Sequence, residues 1–540
     1  MRISRITISN HNRVADMDVE VREHAVFVGP NAVGKSTVLR LLDCALGASW
    51  SQLATALDPG QVQDETKPMV VEVRLDGLDA DDRAHFADKA EVGTGGGPMS
   101  AWLTIRLSAT ISSVDPERLD VSRSFVKPKV DDVAVNRDDL RQIGWVFLPA
   151  SRSPDRELGT GRASAVRSLL RTVALDAGEA KAIDDAVAAL STALKSAPSL
   201  ESVRENLAGE LSGLFPEPIN KDDIAIDLPS SATDDPLGDV DIQLDRDGRR
   251  APLSAQSDGL RSLSVVAVQL LARRSARILA IDEPEIHLHP RGQANLGGLL
   301  ATAPGQRLVA THAPAVLARF NPAQAIAVST GGARQLSLTA FVGDAKRYHH
   351  WWIDFALEPL TADRIIFVEG ISDRIILRAV ADLLDLQLDR CGVSVVALNG
   401  AGNFRAGIRL FGPTGFGIRL LGLVDQNEET FPADELGVTV ADLAIHDILT
   451  CHADLEEECA TSLGVGDLTA LLTHSGLFTE AAILSSTGAA SLGALSVTAL
   501  AAFLRKNKVE AAAAIAEGMD ASQAAKLSTV KELVERAVAP

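Results

Sequence analysis

Apolar and polar positions alternate with two different spacings along the chain, and these spacings predict where strands and helices lie. The first residues place isoleucine between polar residues, and HAVFVGP then runs apolar into a glycine turn, which predicts strands that feed a loop. MVVEVRL (69–75) and AWLTIRL (101–107) predict an antiparallel sheet beside those strands, with a flexible loop, GTGGGP (93–98), between them.

The middle of the chain changes to helical spacing. Residues 163–214 are dominated by Ala, Leu, Glu and Arg and predict an inserted helical hairpin, after which the polar stretch 220–239 returns the chain to strands. Beyond residue 350 a second α/β pattern begins, in which strand-like RIIFVEG, SVVALNG and IRLLGLVD accompany helix-like SDRIILRAVADLL. We therefore predict an α/β protein with a domain boundary near residue 350.

Length and charge restrict the function classes. A chain of 540 residues is too long for one hydrophobic core, and roughly three domains are expected. The 52 Lys and Arg residues face 72 Asp and Glu, a net charge of −20, which argues against a protein that coats nucleic acid non-specifically. Any contact with DNA must therefore use a local basic patch.

Cysteine usage and hydropathy favour a reduced, cytoplasmic setting. The four cysteines are too few and too scattered for a disulfide scaffold or a metal ribbon, and the first residues contain no apolar signal segment. The uncharged stretch 481–504 is interrupted by Gly488 and Gly493. We interpret it as packed helix and loop rather than as a membrane span.

GPNAVGKS, residues 29–36, matches the phosphate-binding loop pattern GxxxxGK[ST] between a predicted strand and a predicted helix. Gly29 and Gly34 let backbone N–H groups close around phosphate oxygens, Lys35 neutralises the outer phosphates, and Ser36 reaches Mg²⁺. The predicted ATP contacts are Asn31, Gly34, Lys35, Ser36 and Thr37.

Two further strands complete the predicted ATP site. ARILAIDEPE ends in Asp282, which would hold Mg²⁺, and Glu283, which would orient and deprotonate the attacking water. LVATHAP ends in His312. A lone histidine at a strand end is commonly structural, but here we favour a sensor of the γ-phosphate.

These spacings resemble the ABC-type ATPase heads of the RecF and SMC-like group. The resemblance implies a signature helix that contacts ATP held by a second subunit, with Ser257 and Gly259 at its start. LSAQSDGL departs from the usual LSGGQ wording, and Asp258 adds a charge that would repel phosphate. The group's glutamine loop corresponds to Gln61 or Gln63.

Two histidine-containing stretches are interpreted as packing rather than as metal sites. His287 and His289 are two residues apart, a spacing that does not place both on one helix face, so packing or a subunit contact is favoured. KRYHHWW (346–352) could stack bases or bind a metal, but it falls on the predicted boundary and favours hinge packing.

A second acidic cluster follows the boundary. IIFVEGISD (365–373) ends an apolar run with Glu369, and Asp373 lies near the start of the next helix, where capping of that helix is the simpler interpretation. A later apolar run ends at Asp425. In one parallel sheet, Glu369 and Asp425 would share the carboxyl edge.

At this point the chain resembles the TOPRIM domain, and an ATPase head followed by TOPRIM is similar to the OLD family of ATP-dependent endonucleases, which includes the nuclease subunit of the Gabija anti-phage system. The resemblance rests on WVFLPASRSPDRE, VEGISD, LNGAGNF, GLVDQNEE, DLEEECATSLG and FLRKNKVEAAAAIAE besides the ATPase motifs. It implies metal ligation by Glu369, Asp373, Asp425 and Glu456, with Lys508 near the scissile phosphate. The implied ion is Mg²⁺, with Mn²⁺ or Ca²⁺ as alternatives.

One position departs from the generic TOPRIM pattern. Asn427 stands where that pattern has the second aspartate of Asp-x-Asp, and Glu428 follows it. Asn427 still offers a neutral oxygen, so charge compensation of a metal is reduced rather than abolished. The departure favours the OLD branch over topoisomerase or primase relatives.

Together these features predict an ATPase domain in two parts (1–160 and 221–345), a helical dimerisation insert (161–220) and a TOPRIM nuclease domain (346–540). The expected protein is an ATP-hydrolysing, metal-dependent DNA endonuclease or nickase in phage defence or DNA repair. Expected partners are DNA, further copies of the chain and a helicase-like protein, without a membrane. The alternative is an ATP-gated DNA-binding or signalling ATPase whose TOPRIM domain does not cut.

Overall fold

The alternating residues at the start of the chain build an antiparallel sheet in this computed structural model. Along Met69–Asp76 each buried side chain is followed by a half-buried one, so one face of the sheet packs on the core. Pairing of this strand with Ala101–Ile111 confirms the predicted antiparallel sheet. The strands are β1 (Arg2–Ser9), β2 (Met17–Glu20), β4 (Met69–Asp76), β5 (Glu91–Val92), β6 (Ala101–Ile111), β7 (Leu119–Phe125) and β8 (Val133–Ala134), in the order β2-β1-β4-β6-β7-β8 with β5 beside β6.

The structure describes most of the chain, in two compact units. The first unit comprises Met1–Phe147, Arg277–Glu283 and Gly297–Pro540, and the second comprises Leu148–Ala276 and Pro284–Leu296. The predicted glycine-rich loop and most of the stretch 220–239 lie outside the described residues. The residues not described are 94–100, 128–131, 152, 160–163, 171–172, 174, 213–219, 224–241, 247–248, 273–275, 338–351, 353–356 and 540.

A second sheet carries the predicted ATP-binding strands. Its strands are β3 (Ala25–Val28), β9 (Trp145–Leu148), β12 (Ile278–Asp282), β13 (Gln306–Ala310), β14 (Ala325–Ser329) and β15 (Gly332–Gln335), in the order β15-β14-β3-β13-β12-β9. β3, β12 and β13 run parallel, and every residue in them is buried. Parallel strands that are covered on both faces can present reactive side chains only at their ends. The helices Lys35–Leu46, Trp50–Ala56, Ala80–His85, Arg137–Ile143 and Pro314–Leu317 accompany the first two sheets.

The second unit is mainly helical. Its helices are Pro154–Leu158, Ala165–Leu170, Ala177–Ser196, Pro198–Ser212 and Asp258–Ala272, beside a hairpin of β10 (Gln243–Arg246) and β11 (Arg249–Pro252). Ala177–Ser196 and Pro198–Ser212 are consecutive helices, as the predicted helical hairpin requires. The dimerisation role and the predicted domain limits remain predictions. The helix Pro290–Thr302 begins in this unit and ends in the first.

The C-terminal half of the first unit contains a four-stranded sheet in which every strand pair is parallel. Its strands are β16 (Arg364–Val368), β17 (Val393–Ala397), β18 (Arg419–Asp425) and β19 (Ile448–Cys451), in the order β17-β16-β18-β19. The first three confirm the predicted parallel sheet, whereas β19 was not predicted. The helices here are Leu357–Leu360, Ile371–Leu383, Phe404–Phe411, Thr430–Leu436, Leu455–Leu463, Val465–His474, Glu480–Thr487, Val497–Lys506, Lys508–Gly518, Ala521–Ala524 and Ser528–Val538.

The uncharged stretch 481–504 folds within two short helices, Glu480–Thr487 and Val497–Lys506, and the turn between them. In the described part of the chain, no helix combines the length and the apolar character needed to cross a membrane. The short 3₁₀ segments of the chain are Pro59–Gln61, Lys221–Asp223, Leu253–Ala255, Pro322–Gln324, Ala401–Asn403, Val440–His446 and Leu492–Ala494.

Trp352 packs between the ATPase strands and the C-terminal sheet. Its indole Nε1 donates to the carbonyl oxygen of Phe320 at 3.1 Å, and its ring stacks on Phe416 with centroids 6.2 Å apart. Only 1% of Trp352 is exposed. The remainder of the predicted hinge cluster, residues 346–351, lies outside the described residues. Trp352 itself makes the packing contact predicted for that cluster.

Close packing against β16 fixes the strand that precedes Glu369. The ring of Phe367 on β16 lies edge-on to Phe404, and Gly407 from the same helix as Phe404 lies directly against it. A Cβ atom on Gly407 would approach the Phe367 ring to 2.9 Å. Because Phe367 is fully buried, the ring has no room to move away.

We predict that Gly407→Ala destabilises the protein by about 1–3 kcal/mol, the usual cost of overpacking a core, although alanine favours a helix. Urea unfolding followed by circular dichroism measures the change. The control is Gly466→Ala, also in a helix, where an added Cβ meets no atom within 4 Å. That control is expected to leave stability unchanged or to raise it by up to about 1 kcal/mol. Equal unfolding midpoints for the two variants would contradict the packing argument.

Candidate functional site

Two glycines shape the phosphate-binding loop. Gly29 and Gly34 have φ angles of 151° and 99°, which side-chain-bearing residues rarely adopt. A Cβ on Gly29 would collide with the carbonyl oxygen of Val328, and one on Gly34 would meet the carbonyl oxygen of Arg13 at 2.8 Å. The loop therefore needs glycine at both positions for conformation and for space.

The loop and strand β12 meet through a direct hydrogen bond. The hydroxyl of Ser36 donates to Oδ1 of Asp282 at 2.8 Å, and Asp282 is fully buried. The Lys35 ammonium donates to the carbonyl oxygens of Gly29 and Pro30 at 2.9 and 2.6 Å, so it lies inside the loop. A hydroxyl and a carboxylate at this separation are the hard oxygen donors that Mg²⁺ prefers. These residues therefore fit a magnesium ion.

Glu283 and His312 face each other at the ends of neighbouring strands. The Nε2 atom of His312 is 3.8 Å from Oε1 of Glu283. Glu283 has a φ of 43°, and its amide donates to the carbonyl oxygen of Ala310 at 2.8 Å. Burial, and then the charge of Lys35, lower the pKa of His312, which favours a neutral imidazole. The strained turn at Glu283 thus aims a carboxylate towards a neutral histidine.

A cavity of about 440 Å³ adjoins the helix that follows the loop. Thr37 and Arg40 from that helix line it, together with His11 and Gln61. Of the two glutamines considered for the glutamine loop, Gln61 is therefore the one beside a predicted ATP contact, and Gln63 does not line the cavity. Asn31 is exposed in the loop itself.

The predicted signature residues lie in the second unit. The helix Asp258–Ala272 begins directly after Ser257, whose carbonyl oxygen accepts from Arg261 at 2.8 Å. Arg261 also binds the carboxylate of Asp258 at 2.6 Å, which offsets the negative charge that set this segment apart in the sequence. A Cβ on Gly259 would lie 3.4 Å from the carbonyl oxygen of His287, so His287 packs beside the helix start.

Parallel pairing of β16 with β18 brings the predicted nuclease acids to one sheet edge. The amide of Asp425 donates to Oε1 of Glu369 at 3.2 Å. Asp373 lies in the first turn of the helix Ile371–Leu383, and its Oδ2 accepts from the Gly370 amide at 2.9 Å. Asp373 therefore caps its helix, as the simpler interpretation required, and also lies beside Glu369 and Asp425.

Glu456 and Lys508 come from two helices on the same side of the sheet. The Lys508 ammonium lies 3.3 Å from Oε1 of Glu456, whose side chain is buried. Burial raises the pKa of Asp373 and Asp425, and the charge of Lys508 opposes part of that rise at both carboxyls. The five residues predicted from the family resemblance thus share one electrostatic environment.

Burial and crowding disfavour ionisation of these acids. Burial, and then repulsion from Glu369 and Asp373, raise the pKa of Asp425 to about 8. Burial likewise raises the pKa of Glu369, Asp373 and Glu456. A divalent cation would stabilise the ionised forms, and an all-carboxylate donor set fits Mg²⁺, Mn²⁺ or Ca²⁺. In the described part of the chain no three His, Cys, Asp or Glu side chains stand at metal-binding geometry, so the acids form a cluster rather than a finished cage.

The residues around this cluster were only partly anticipated from the sequence. Glu428, noted there beside Asn427, is half-buried, whereas Asn427 is exposed. Burial raises the pKa of Glu369, and the charge of Glu428 adds to that rise. Arg505 binds Asp454 and Glu457, with Nη2 2.9 Å from Oδ1 of Asp454. Asp454 in turn caps the helix that carries Glu456. DLEEE after an apolar run was the available signal for the cap, but no local pattern pairs it with Arg505.

Comparisons with known proteins find an ATPase domain and a TOPRIM domain along this chain. Residues 25–318 match a family model described as "AAA domain, putative AbiEii toxin, Type IV TA system", and residues 360–426 match the "Overcoming lysogenization defect protein-like, TOPRIM domain". A curated OLD nuclease from Thermus scotoductus is 23% identical over 458 residues, which are 80% of this chain and 83% of that protein.

Two solved structures are also similar to parts of this chain. The C-terminal region of the Burkholderia pseudomallei OLD protein is 26% identical and covers 33% of this chain and 99% of its own, with a TM-score of 0.28. An Smc head domain derived from Pyrococcus furiosus is 14% identical and covers 62% of this chain and 96% of its own, with a TM-score of 0.35.

We predict that Asp425 makes stability fall with pH in metal-free buffer. Its folded pKa of about 8 exceeds its ordinary value of 3.8, so the contribution is favourable at low pH and is lost as pH rises towards 8. Asp425→Asn should flatten that part of the profile, and Mg²⁺ should flatten it in the wild type. Urea unfolding at pH 5 to 9 measures this, with Glu480→Gln, an exposed acid, as the control. Parallel profiles for wild type and Asp425→Asn would refute the prediction.

Proposed function

Since this chain belongs to the AAA-domain ATPase family and also carries an OLD-like TOPRIM domain, we propose that it is an ATP-regulated, metal-dependent DNA endonuclease or nickase. The observation that supports this proposal best is that Glu369 and Asp425 lie in contact at one sheet edge, where the positive charge of Lys508 acts on both carboxyls. Buried carboxylates with raised pKa values are costly for stability alone, which supports a role in binding metal ions and phosphate.

At the ATP site, Ser36 and Asp282 would hold Mg²⁺, which would offset the negative charge of the phosphates. Lys35 neutralises further negative charge on the outer phosphates, because its ammonium already lies inside the loop. Glu283 accepts a proton from the attacking water, and His312, 3.8 Å away, senses the γ-phosphate. Ser257 and Gly259 contact the nucleotide bound by a second copy of the chain.

At the nuclease site, the residues that would hold divalent ions are Glu369, Asp373, Asp425 and Glu456. Such ions would supply activation of a water and stabilisation of the leaving oxygen. Lys508 places its positive charge where negative charge develops on the phosphate. Arg505 keeps the helix of Glu456 in place through Asp454. Glu428 adds the negative charge that the neutral side chain of Asn427 does not provide.

The proposed setting is phage defence or DNA repair in the cytoplasm, with the chain acting as a homodimer or a higher homo-oligomer, alone or with a helicase-like partner. The helical insert in the second unit is the proposed dimerisation segment, since it forms two consecutive helices with few buried side chains of their own.

Plasmid nicking tests the nuclease. We expect wild-type protein to nick supercoiled DNA in the presence of Mg²⁺ or Mn²⁺. In Glu369→Ala and Asp425→Ala the nicking rate should fall at least about 100-fold, because removal of a charge-stabilising group has an effect of this size in other enzymes. Glu480→Ala is the control, because this exposed acid begins a helix outside the cluster. Absence of nicking by the wild type, or equal nicking by Glu369→Ala, would favour an ATP-gated DNA-binding protein that does not cut.

A second experiment separates the two sites. Lys35→Ala should abolish ATP hydrolysis yet keep part of the metal-dependent nicking, because the two sites share no residue. ATPase and nicking assays on the same preparation measure both activities, with Lys67→Ala, an exposed lysine paired with Asp64, as the control. Complete loss of nicking in a folded Lys35→Ala protein would show obligatory coupling instead.

A further inference from the structure

A second cleft of about 440 Å³ lies at the end of the helix Lys35–Leu46 and shares no lining residue with the predicted ATP contacts. We call it the Trp50 cleft, and it is lined chiefly by Trp50, Arg123, Arg137, Arg141 and Trp145. Although the chain carries a net charge of −20, all charged residues that line this cleft are arginines. It is therefore a local basic surface of the kind that an acidic protein needs for binding an anion.

Arg123 is a buried cation at the floor of the cleft. Only 3% of the residue is exposed, and Nη1 donates to the carbonyl oxygens of Cys44 and Ala48 at 3.0 and 2.7 Å. None of the described carboxylates forms an ion pair with it. Burial lowers the pKa of Arg123, which reflects the cost of a cation without a carboxylate partner. An anion bound in the cleft would offset that cost.

Trp50 supplies an exposed aromatic surface beside this cation. Its ring is 51% exposed, and the Arg123 guanidinium lies 5.3 Å from the ring centroid. Trp50 begins a short helix that is held by a capping box between Ser49 and Gln52, so the ring stands on a fixed element. A large exposed ring next to a buried cation provides a surface on which a planar base can stack.

Trp145 forms one side of the Trp50 cleft, and its ring is fixed in place. Its Nε1 donates to Oδ1 of Asp43 at 2.8 Å, and a Cβ on Gly47 would lie 2.6 Å from the ring. Arg137 and Arg141 project from one helix, where Arg141 pairs with Asp138 at 3.1 Å. Arg137 has no ion pair among the described residues, so its charge is available to a ligand.

We propose that the Trp50 cleft binds a nucleotide unit, with the base stacked on Trp50 and the phosphate held by Arg123 and Arg137. An aromatic platform combined with cations recognises a base and a phosphate together, and the cleft volume suits a mononucleotide. The unit can belong to a free nucleotide or to single-stranded DNA. The proposal is separate from cutting, because it uses no residue of the acidic cluster.

Fluorescence anisotropy of a labelled 12-nucleotide oligo-dT, in EDTA to prevent cutting, tests the proposal on the full-length protein. We expect wild-type binding, a loss of about 5- to 100-fold in Trp50→Ala from the missing stacking, and most affinity restored in Trp50→Phe. Trp102→Ala is the matched control, since Arg74 lies 4.3 Å from that ring centroid but is neutralised by Asp76. Arg137→Glu should also weaken binding, whereas Arg118→Glu, at another exposed arginine, should weaken it much less.

Competition with dTMP distinguishes the two sources of the ligand. Displacement of the oligonucleotide by dTMP supports a site for free nucleotides, and binding that resists dTMP supports a site for a strand. Undetectable wild-type binding, or equal affinities for Trp50→Ala and Trp102→Ala, overturns the proposal. Because the assay excludes metal ions, Trp50-dependent binding without any plasmid nicking would remove the proposed nuclease and leave this site standing.

Discussion

In the two parallel sheets, the strands that carry chemistry bury nearly every residue, so polar side chains are confined to the ends of the strands. β12 and β13 consist entirely of buried residues, and their carboxyl ends place Asp282 and His312 at one edge of the sheet. β16 and β18 do the same for Glu369 and Asp425. Both candidate sites thus follow from one constraint, which is that a strand covered on both faces has only its carboxyl end free for catalysis.

That constraint has an energetic consequence at the nuclease edge. Several carboxylates crowd where water is largely excluded, and repulsion between them adds to the cost of burial, as the raised pKa of Asp425 shows. Single backbone donors, such as the Gly370 amide at Asp373, and the charge of Lys508 offset only part of this cost. The ATP edge differs because Asp282 accepts a hydrogen bond from the Ser36 hydroxyl, and the positive charge of Lys35 acts on His312 at the same edge. We therefore expect the edge that carries Glu369 and Asp425 to depend more strongly on a cation supplied from outside the chain.

The sequence predicted the features that depend on runs of contiguous residues. The loop from Gly29 to Ser36 and the apolar strands before Asp282 and Asp425 are contiguous patterns, so these elements, and a parallel sheet that brings Glu369 and Asp425 to one edge, could be anticipated. Contacts between distant residues could not: Arg505 reaches Asp454 across 51 positions, and Arg123 meets Trp50 through the pairing of separate elements. Strand β19 is only four residues long and closely follows a 3₁₀ segment, Val440–His446, that is itself mostly apolar, so its short apolar pattern did not stand out from its surroundings.

The two sites share no residue, but within one chain they are joined by packing. Helix Pro314–Leu317 follows His312 and leads to Phe320, whose carbonyl oxygen accepts from Trp352. Trp352 stacks on Phe416, Phe416 on Phe411, and Phe411 lies 6.4 Å from Phe367 on β16, two residues before Glu369. Tightly packed aromatic rings resist small displacements, because a close-packed interior has no voids to absorb them. Among the described residues, this row of rings connects the strand end that carries His312 with the strand end that carries Glu369.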